Sequence, residues 1–268
     1  MAWRHLRKRL LGPLFRRRRL AERVRRPATI AERPARIDVV LVTWNRLAFA
    51  RLAVRALLDT ARLPGSRIVI WDNGSTDGTA EFLGGLDDPR LRVTRHPENL
   101  GLSAYARAAR GLDGDYLAHM DDDVLLLPGD WQEAMVMAFR KAPRLGYLGL
   151  DVHQDEFTNG ARPTPTRYCL TRYDDETTIA YGPVGGWFAM TPREVYERVG
   201  GFLDDPTRKY FLVDGNYYQK VRHAGRDKGL LWGRRAYHAC GLWRPGEGPR
   251  PDFLACFEQR HLAADHVR

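Results

Sequence analysis

Like charges do not gather without compensation, and residues 121–123 are three aspartates in a row, Asp121, Asp122 and Asp123, closing the apolar run 116–120. A divalent cation is the compensation their chemistry favours. Carboxylate oxygens suit Mg²⁺ or Mn²⁺, and Mg²⁺ typically joins one or two carboxylates to the phosphates of a substrate. On an extended chain Asp121 and Asp123 point to the same side, because successive side chains alternate. An acidic surface turn or a helix N-terminal cap would use the same residues. A second cluster, W-D-N-G-S-T-D-G-T, offers Asp72, Asn73, Gly74, Ser75, Asp77 and Gly78. Its glycines let the backbone approach a ligand, and a carboxylate there can accept a proton from a base N–H or a sugar hydroxyl. The same residues also build ordinary turns. V-T-W-N-R adds Thr43, Asn45 and Arg46, and E-N-L-G-L-S-A-Y-A-R-A-A-R-G adds Asn99 and Gly101. A helix cap with a surface arginine and close helix packing are the plainer uses of these two.

Strands and helices in alternation must position these clusters. The β-branched run 37–44 reads as a buried strand, and Leu47, Ala50, Val54, Leu57 and Leu58 follow at helical spacing. R-I-V-I-W-D is a second strand, with cap-type residues leading from it into a short helix. L-R-V-T-R-H is a third strand, a small-residue helix follows Gly101, and residues 115–123 form a fourth strand ending in the carboxylates. Residues 131–140 read as a further helix. This order predicts an α/β fold with a mostly parallel central sheet flanked by helices, and its ligands lie beyond the carboxyl ends of the strands. The second half is less regular. Thr191, Pro192 and Glu194 form a Thr-x-x-Glu capping box that predicts a helix to about Val199, ended by Gly200 and Gly201.

The chain has 268 residues and a formal charge of +10. All of that net charge sits in residues 1–26, where eleven Lys and Arg face Glu22 alone. A neutral body behind a basic arm argues against a nucleic-acid groove across the fold. In the arm, Trp3, Leu6, Leu10 and Leu14 recur at helical spacing, interrupted by Gly12 and Pro13. That pattern fits a basic amphipathic helix on an anionic inner leaflet, at about 1 kcal/mol per basic residue near the surface. It equally fits a solvated tail or a helix packed on the body. Cys169, Cys240 and Cys256 are widely spaced, without the pairing of a zinc site or disulfide framework. No run approaches the roughly 18 apolar residues of a membrane span. The expected location is cytoplasmic, with the arm allowing a peripheral position on the inner membrane face.

The succession of T-W-N-R, D-N-G-S-T-D-G-T, N-L-G with small residues behind it, and D-D-D at consecutive strand ends resembles family 2 glycosyltransferases, the inverting group with the GT-A (Rossmann-like) fold. The likeness spans about residues 37–240. It implies a basic arm and linker over 1–34, a nucleotide-binding half over 35–125, and an acceptor-binding half with a C-terminal segment over 126–268. On matching positions, Thr43, Asn45, Arg46, Asp72 and Asn73 would contact the nucleotide, with Asn99, Gly101 and Asp122 on the same side. Asp121 and Asp123 would be the acidic positions of the family's D-x-D, Asp121 toward ribose and metal and Asp123 toward the metal. P-V-G-G-W-F-A-M is similar to the family's acceptor segment, which would give Gly185, Gly186 and Trp187 to the acceptor. F-L-V-D-G-N-Y-Y-Q-K-V-R-H-A-G resembles its E-D-x-D segment and places Asp214 on the catalytic base. This sequence departs there, with Val213 in place of the Glu and Asn216 in place of the second Asp. His238 falls where such enzymes set a histidine near diphosphate or metal, and a core or surface histidine fits the position as well.

The resemblance implies transfer of a sugar from a nucleotide-diphosphate donor to an acceptor hydroxyl, with Mn²⁺ or Mg²⁺ as cofactor. UDP is the family's commonest base carrier, with dTDP and GDP as alternatives, and the arm favours a cell-envelope or lipid-linked glycan acceptor. A nucleotidyltransferase competes, but it would need a Gly-rich loop after the first strand, and residues 43–48 contain no glycine. A non-catalytic nucleic-acid or membrane adaptor on a degenerate fold is the third reading, with the retained carboxylates against it.

Overall fold

The computed structural model describes residues 22–24, 34–153, 167–205, 207 and 213–239, with the backbone alone for 22–24, 213 and 214. The residues of the arm's helical pattern, Cys240 and Cys256 lie outside the described residues. In chain order the elements are β1 (Glu22–Val24), β2 (Ile37–Thr43), α1 (Leu47–Thr60), β3 (Arg67–Asp72), α2 (Thr79–Gly84), β4 (Leu91–Arg95), α3 (Ser103–Ala108), β5 (Tyr116–Asp121), β6 (Val124–Leu126), α4 (Trp131–Lys141), β7 (Leu145–Val152), β8 (Cys169–Arg172), β9 (Thr178–Tyr181), β10 (Phe188–Pro192), α5 (Arg193–Arg198), α6 (Val213–His223) and β11 (Asp227–His238). Strands and helices alternate over the first half as the hydrophobic periodicity requires.

Among the described residues one sheet holds every strand, in the order β1-β8-β9-β11-β7-β10-β5-β2-β3-β4, with β6 paired to β11. β5, β2, β3 and β4 are parallel neighbours. β2 and β3 are buried along almost their whole length, which suits their β-branched runs to a sheet covered on both faces. α1 buries Phe49, Ala50, Ala53, Val54, Ala56 and Leu57, an apolar stripe at helical spacing. Register then does the positioning. Thr43 lies opposite Asp72, and Val42 opposite Asp121, so three of the sequence's polar clusters emerge along one sheet edge. At the other edge Asp38 is fully buried, answered by Arg67 Nε at 2.8 Å, Nη2 at 2.9 Å and the Gly114 N–H at 2.7 Å. A Cβ at Gly114 would stand 2.8 Å from that carboxylate, so a larger residue would displace the buried ion pair.

The second half gains its order from antiparallel insertions that periodicity did not reveal. β10 lies between β5 and β7, antiparallel to both, and β11 runs parallel to β7 with an irregularity between Leu231 and Arg235. β6 folds back on the end of β11, with His238 opposite Val124. β1, within the stretch read as arm and linker, pairs in parallel with β8.

Two local expectations are corrected. The fourth strand ends at Asp121, and the chain turns through Asp122 and Asp123 rather than staying extended. The Thr-x-x-Glu box does not cap α5, which begins after Pro192 without a side-chain cap. Thr191 is buried in β10, where its hydroxyl bonds Gly146 O and the Tyr217 hydroxyl, each at 2.8 Å, and Glu194 accepts from Arg226 at 3.0 Å. A buried hydroxyl goes to the nearest unsatisfied groups, and here those belong to neighbouring strands and α6.

Candidate functional site

The turn after β5 divides the three aspartates by direction. Asp122 turns toward β2, accepting from the Thr43 hydroxyl at 2.8 Å and from Arg46 Nη1 at 2.7 Å. Asp123 accepts from Arg46 Nη2 at 2.8 Å through Oδ2, while His238 Nε2 stands 3.4 Å from Oδ1. Asp121 ends β5 and accepts from the Tyr105 hydroxyl at 2.8 Å through Oδ1. Asp121, Asp123 and His238 each offer one ligand atom, and all three lie within 4.8 Å of one another. β6 brings the histidine there, since its pairing with β11 and the Ala239 N–H to Asp123 O bond at 3.0 Å hold His238 beside the turn.

The electrostatics of this corner are unbalanced. Burial pushes the Asp121 carboxyl well above the usual range, and the Asp123 charge adds to the shift. Burial also raises Asp122, against the pull of Arg46. For Asp123 burial works in the same direction, but His238 and Arg46 together outweigh it and hold the carboxyl below the ordinary range. Asp123 Oδ1 is a buried oxygen without a well-aligned hydrogen-bond donor, facing His238 Nε2 at 3.4 Å. Buried polar atoms are nearly always satisfied, so a carboxylate oxygen met only at ion-pair distance by an imidazole, beside a second carboxylate, fits a cation site. Two carboxylates and one imidazole form a mixed oxygen and nitrogen donor set able to hold a divalent cation, with further positions left to a ligand's oxygens.

Around this corner the sequence's other clusters form a connected rim. Asp72 is buried and accepts the Ser75 N–H at 2.9 Å through Oδ1, while its Oδ2 is 3.5 Å from Arg95 Nε. Asn45 has φ of 51°, a left-handed conformation that Asn tolerates better than most residues. Its N–H donates to Ser75 Oγ at 2.9 Å, and its Oδ1 accepts the Thr76 N–H at 2.7 Å. Asp77 accepts the Leu47 N–H at 2.9 Å and the Thr79 hydroxyl at 2.6 Å, joining the starts of α1 and α2. The first two polar loops therefore brace each other.

The remaining expected residues fall in three groups. Asn73 is occupied by the protein itself, since Nδ2 donates to Gly101 O at 2.9 Å and Oδ1 accepts from Trp71 Nε1 at 3.1 Å and Leu100 N at 3.3 Å. Asn99 Oδ1 holds the Gly101 N–H at 2.7 Å, and Gly101 takes a φ of 60°. These side chains shape the loop before α3. Arg46 likewise serves the two aspartates and lies over the Phe49 ring, with its guanidinium carbon 4.8 Å from the centroid. In the third group, Trp187 is buried, donates from Nε1 to Leu150 O at 2.9 Å and packs on His238 with centroids 5.7 Å apart. Its carbonyl accepts the Asp121 N–H at 2.9 Å. Gly185 lies against that indole so closely that a Cβ would fall 1.9 Å from the ring. Gly185 and Trp187 thus pack against the acidic corner, and Gly186 lies between them in the chain. Asp214 belongs to the first turn of α6, and its side chain lies outside the described residues.

Sequence reasoning missed Arg95 and Tyr105. Arg95 was findable, because it pairs with Asp72 in the register of β3 and β4 and so ends its strand at the same edge. Its side chain is 58% exposed beside the buried Asp72, and its Nη2 donates to Ser75 O at 3.2 Å. Tyr105 carried no such signal, since only packing brings α3 against the end of β5.

Comparison with protein families matches residues 38–200 to the description "Glycosyl transferase family 2". No curated relative matches the chain in sequence. Among solved structures, a mannosyltransferase from Pyrobaculum calidifontis, PcManGT in complex with GDP-Man and Mn²⁺, superposes with a TM-score of 0.58 at 17% identity, covering 97% of this chain and 76% of that one. S. aureus TarS 1–349 gives 0.60 at 12% identity, over 76% of this chain and 60% of its own. GalNAc-T7 with UDP, GalNAc and Mn²⁺ gives 0.60 at 16%, over 84% and 48%. At these identities the structural likeness carries the fold, which all three share with this chain. The family match extends over more than half of the sequence and includes Thr43, Asp72 and the three aspartates, and the chain belongs to glycosyl transferase family 2.

Proposed function

We propose that the protein is a metal-dependent, inverting glycosyltransferase that moves a sugar from a nucleotide-diphosphate donor to the hydroxyl of a cell-envelope or lipid-linked glycan. The observation that carries this is the convergence of Asp121, Asp123 and His238 within 4.8 Å, at the sheet edge that also carries Thr43 and Asp72. Mn²⁺ or Mg²⁺ would be held by those three residues, where it would neutralise charge growing on the departing diphosphate, a contribution of several kcal/mol. Asp72 and Arg95 offer an acceptor and a donor side by side, suited to the edge of a nucleobase such as uracil, and a UDP sugar is the first donor to test.

Arg46 has a different part in this reading from the direct nucleotide contact expected of it. Its guanidinium bridges two of the three carboxylates but carries one positive charge, so the ionised corner keeps two negative charges, the charge of one divalent cation. Asp214 would accept the acceptor's hydroxyl proton as that oxygen attacks the anomeric carbon. The carbon–oxygen bond to the diphosphate breaks on the opposite face with its electrons on the leaving oxygen, and one displacement inverts the anomer. General-base help of this kind is worth roughly 10²- to 10⁴-fold in rate. The basic arm would bring the enzyme to an anionic leaflet. No helix among the described residues is long and apolar enough to cross a membrane.

A thermal-shift panel of UDP, dTDP and GDP sugars, each with and without Mn²⁺, tests the reading. Stabilisation by one donor that depends on the metal is the expected result. No response to any sugar nucleotide under either condition would remove it.

A further inference from the structure

One tyrosine stands among the alanines of α3, whose sequence is S-A-Y-A-R-A. Tyr105 is buried, and its hydroxyl lies 2.8 Å from both Asp121 Oδ1 and Met120 O. A carboxylate held at one oxygen by a fixed donor loses its freedom to rotate, and its second oxygen is then presented in one direction. The tyrosine is itself fixed. Its ring meets His119 edge-on with centroids 5.5 Å apart and Phe202 at 6.2 Å. The helix that carries it is tied at several points, since Arg107 Nε and Arg110 Nη2 reach the Asp204 carboxylate at 3.1 and 2.7 Å, and Ser103 Oγ accepts the Asp205 N–H at 2.8 Å. Arg46 fixes Asp123 through one oxygen in the same way. Each aspartate of the pair thus has one oxygen at hydrogen-bond distance from a protein donor, Asp121 sharing the tyrosine's single proton with Met120 O.

We propose that Tyr105 is a positioning residue for the cation site, its hydroxyl holding Asp121 Oδ1 so that the other oxygen of that carboxylate is set toward Asp123 and His238. The proposal rests on the metal-dependent reading given above and deepens it. Outer partners that orient a metal's ligands typically contribute 10- to 100-fold in affinity. Tyr105→Phe removes the hydroxyl and keeps the ring, so the packing with His119 and Phe202 is retained.

Mn²⁺ binding by the full-length protein, read as the loss of free-ion signal in electron paramagnetic resonance, supplies the test without turnover. Wild type is expected to bind, and Y105F to bind about 10- to 100-fold more weakly with a melting temperature close to wild type. Saturating Mn²⁺ should restore kcat in Y105F. Phe139→Leu, a buried ring packed on Tyr116 at the far end of β5, is the packing control, expected to lower the melting temperature while leaving Mn²⁺ affinity in place. Equal affinity in wild type and Y105F would overturn the role of Tyr105 alone. Equal loss in Y105F and F139L would assign the effect to packing and overturn it too. Failure of the wild type to bind Mn²⁺ would overturn both this role and the metal-dependent reading beneath it.

Discussion

Arg46 and Asp123 are joined at 2.8 Å from Nη2 to Oδ2, with both side chains largely buried, and the same guanidinium reaches Asp122 at 2.7 Å. One cation thus stands against two carboxylates, while the third, Asp121, rests on a neutral phenol. The surplus negative charge faces His238, and that surplus is what a divalent ion would remove.

Removing the arginine should therefore unbalance the corner before it affects any ligand. Arg46→Met leaves two buried carboxylates without their counter-charge, a change that costs about 3–5 kcal/mol when a buried pair is broken from one side. Arg46→Lys should cost less but still destabilise, since an ammonium cannot bridge two carboxylates in the plane of a guanidinium. Urea unfolding measures both, and an R46M midpoint equal to wild type would show that the pairing does not stabilise the fold.

Asp123→Asn keeps the shape of the side chain and removes the charge that a bound cation would need. Transfer activity should fall by about 10³-fold, the rate equivalent of several kcal/mol of transition-state charge stabilisation. Chelator should depress the wild type to a similar level and leave the variant nearly unaffected. Full wild-type activity in excess chelator would exclude the metal reading.

Asp214→Asn should separate chemistry from donor binding. Turnover is expected to drop about 10²- to 10⁴-fold, while the affinity for a sugar nucleotide, measured by calorimetry, stays within about twofold of wild type. Unchanged turnover would take Asp214 out of the mechanism.

The Asp77 carboxylate links the two polar loops, and its stability contribution has a definite pH dependence. Burial works to raise its pKa, but the Thr79 hydroxyl and the backbone N–H groups of Leu47 and Thr79 prevail and lower it below the ordinary value. A depressed carboxylate stabilises the fold above its unfolded pKa of about 4, and the contribution fades as pH falls through the folded value. Asp77→Ala should cost about 1 kcal/mol at pH 7, as for a lost helix cap, and the difference from wild type should shrink below about pH 4. Chemical denaturation at pH 7 and at pH 3.5 measures it, and a pH-independent difference would assign the loss to packing.

Gly185→Ala tests the packing of Trp187 against the acidic corner. Its Cβ would meet the Trp187 ring at 1.9 Å, so the indole must move away from His238 or the strand must shift. Overpacking of this kind costs about 1–3 kcal/mol. Altered tryptophan fluorescence with a lowered melting temperature is the expected signature, and neither change would mean that the loop absorbs the methyl group.

The sequence alone determined the parallel half of the fold and the edge where its chemistry lies. The runs 37–43, 67–72 and 116–121 are apolar enough to be buried on both faces, and a parallel sheet sends every strand's polar end to one side. That is why Thr43, Asp72 and Asp121 could be grouped before any coordinates. Tertiary structure decided how each polar side chain is used. A residue's type does not say whether it faces a ligand or a neighbour, and packing turned Arg46 onto two aspartates, Asn73 onto the Gly101 loop and Trp187 beneath His238. The second half was equally closed to pattern reading. β10 and β11 find their places through long-range pairing, and those partners are set by closure of the sheet rather than by local periodicity. The meeting of His238 with Asp123, 115 positions apart in the chain, depends on the three-residue strand β6, too short to leave a period of its own.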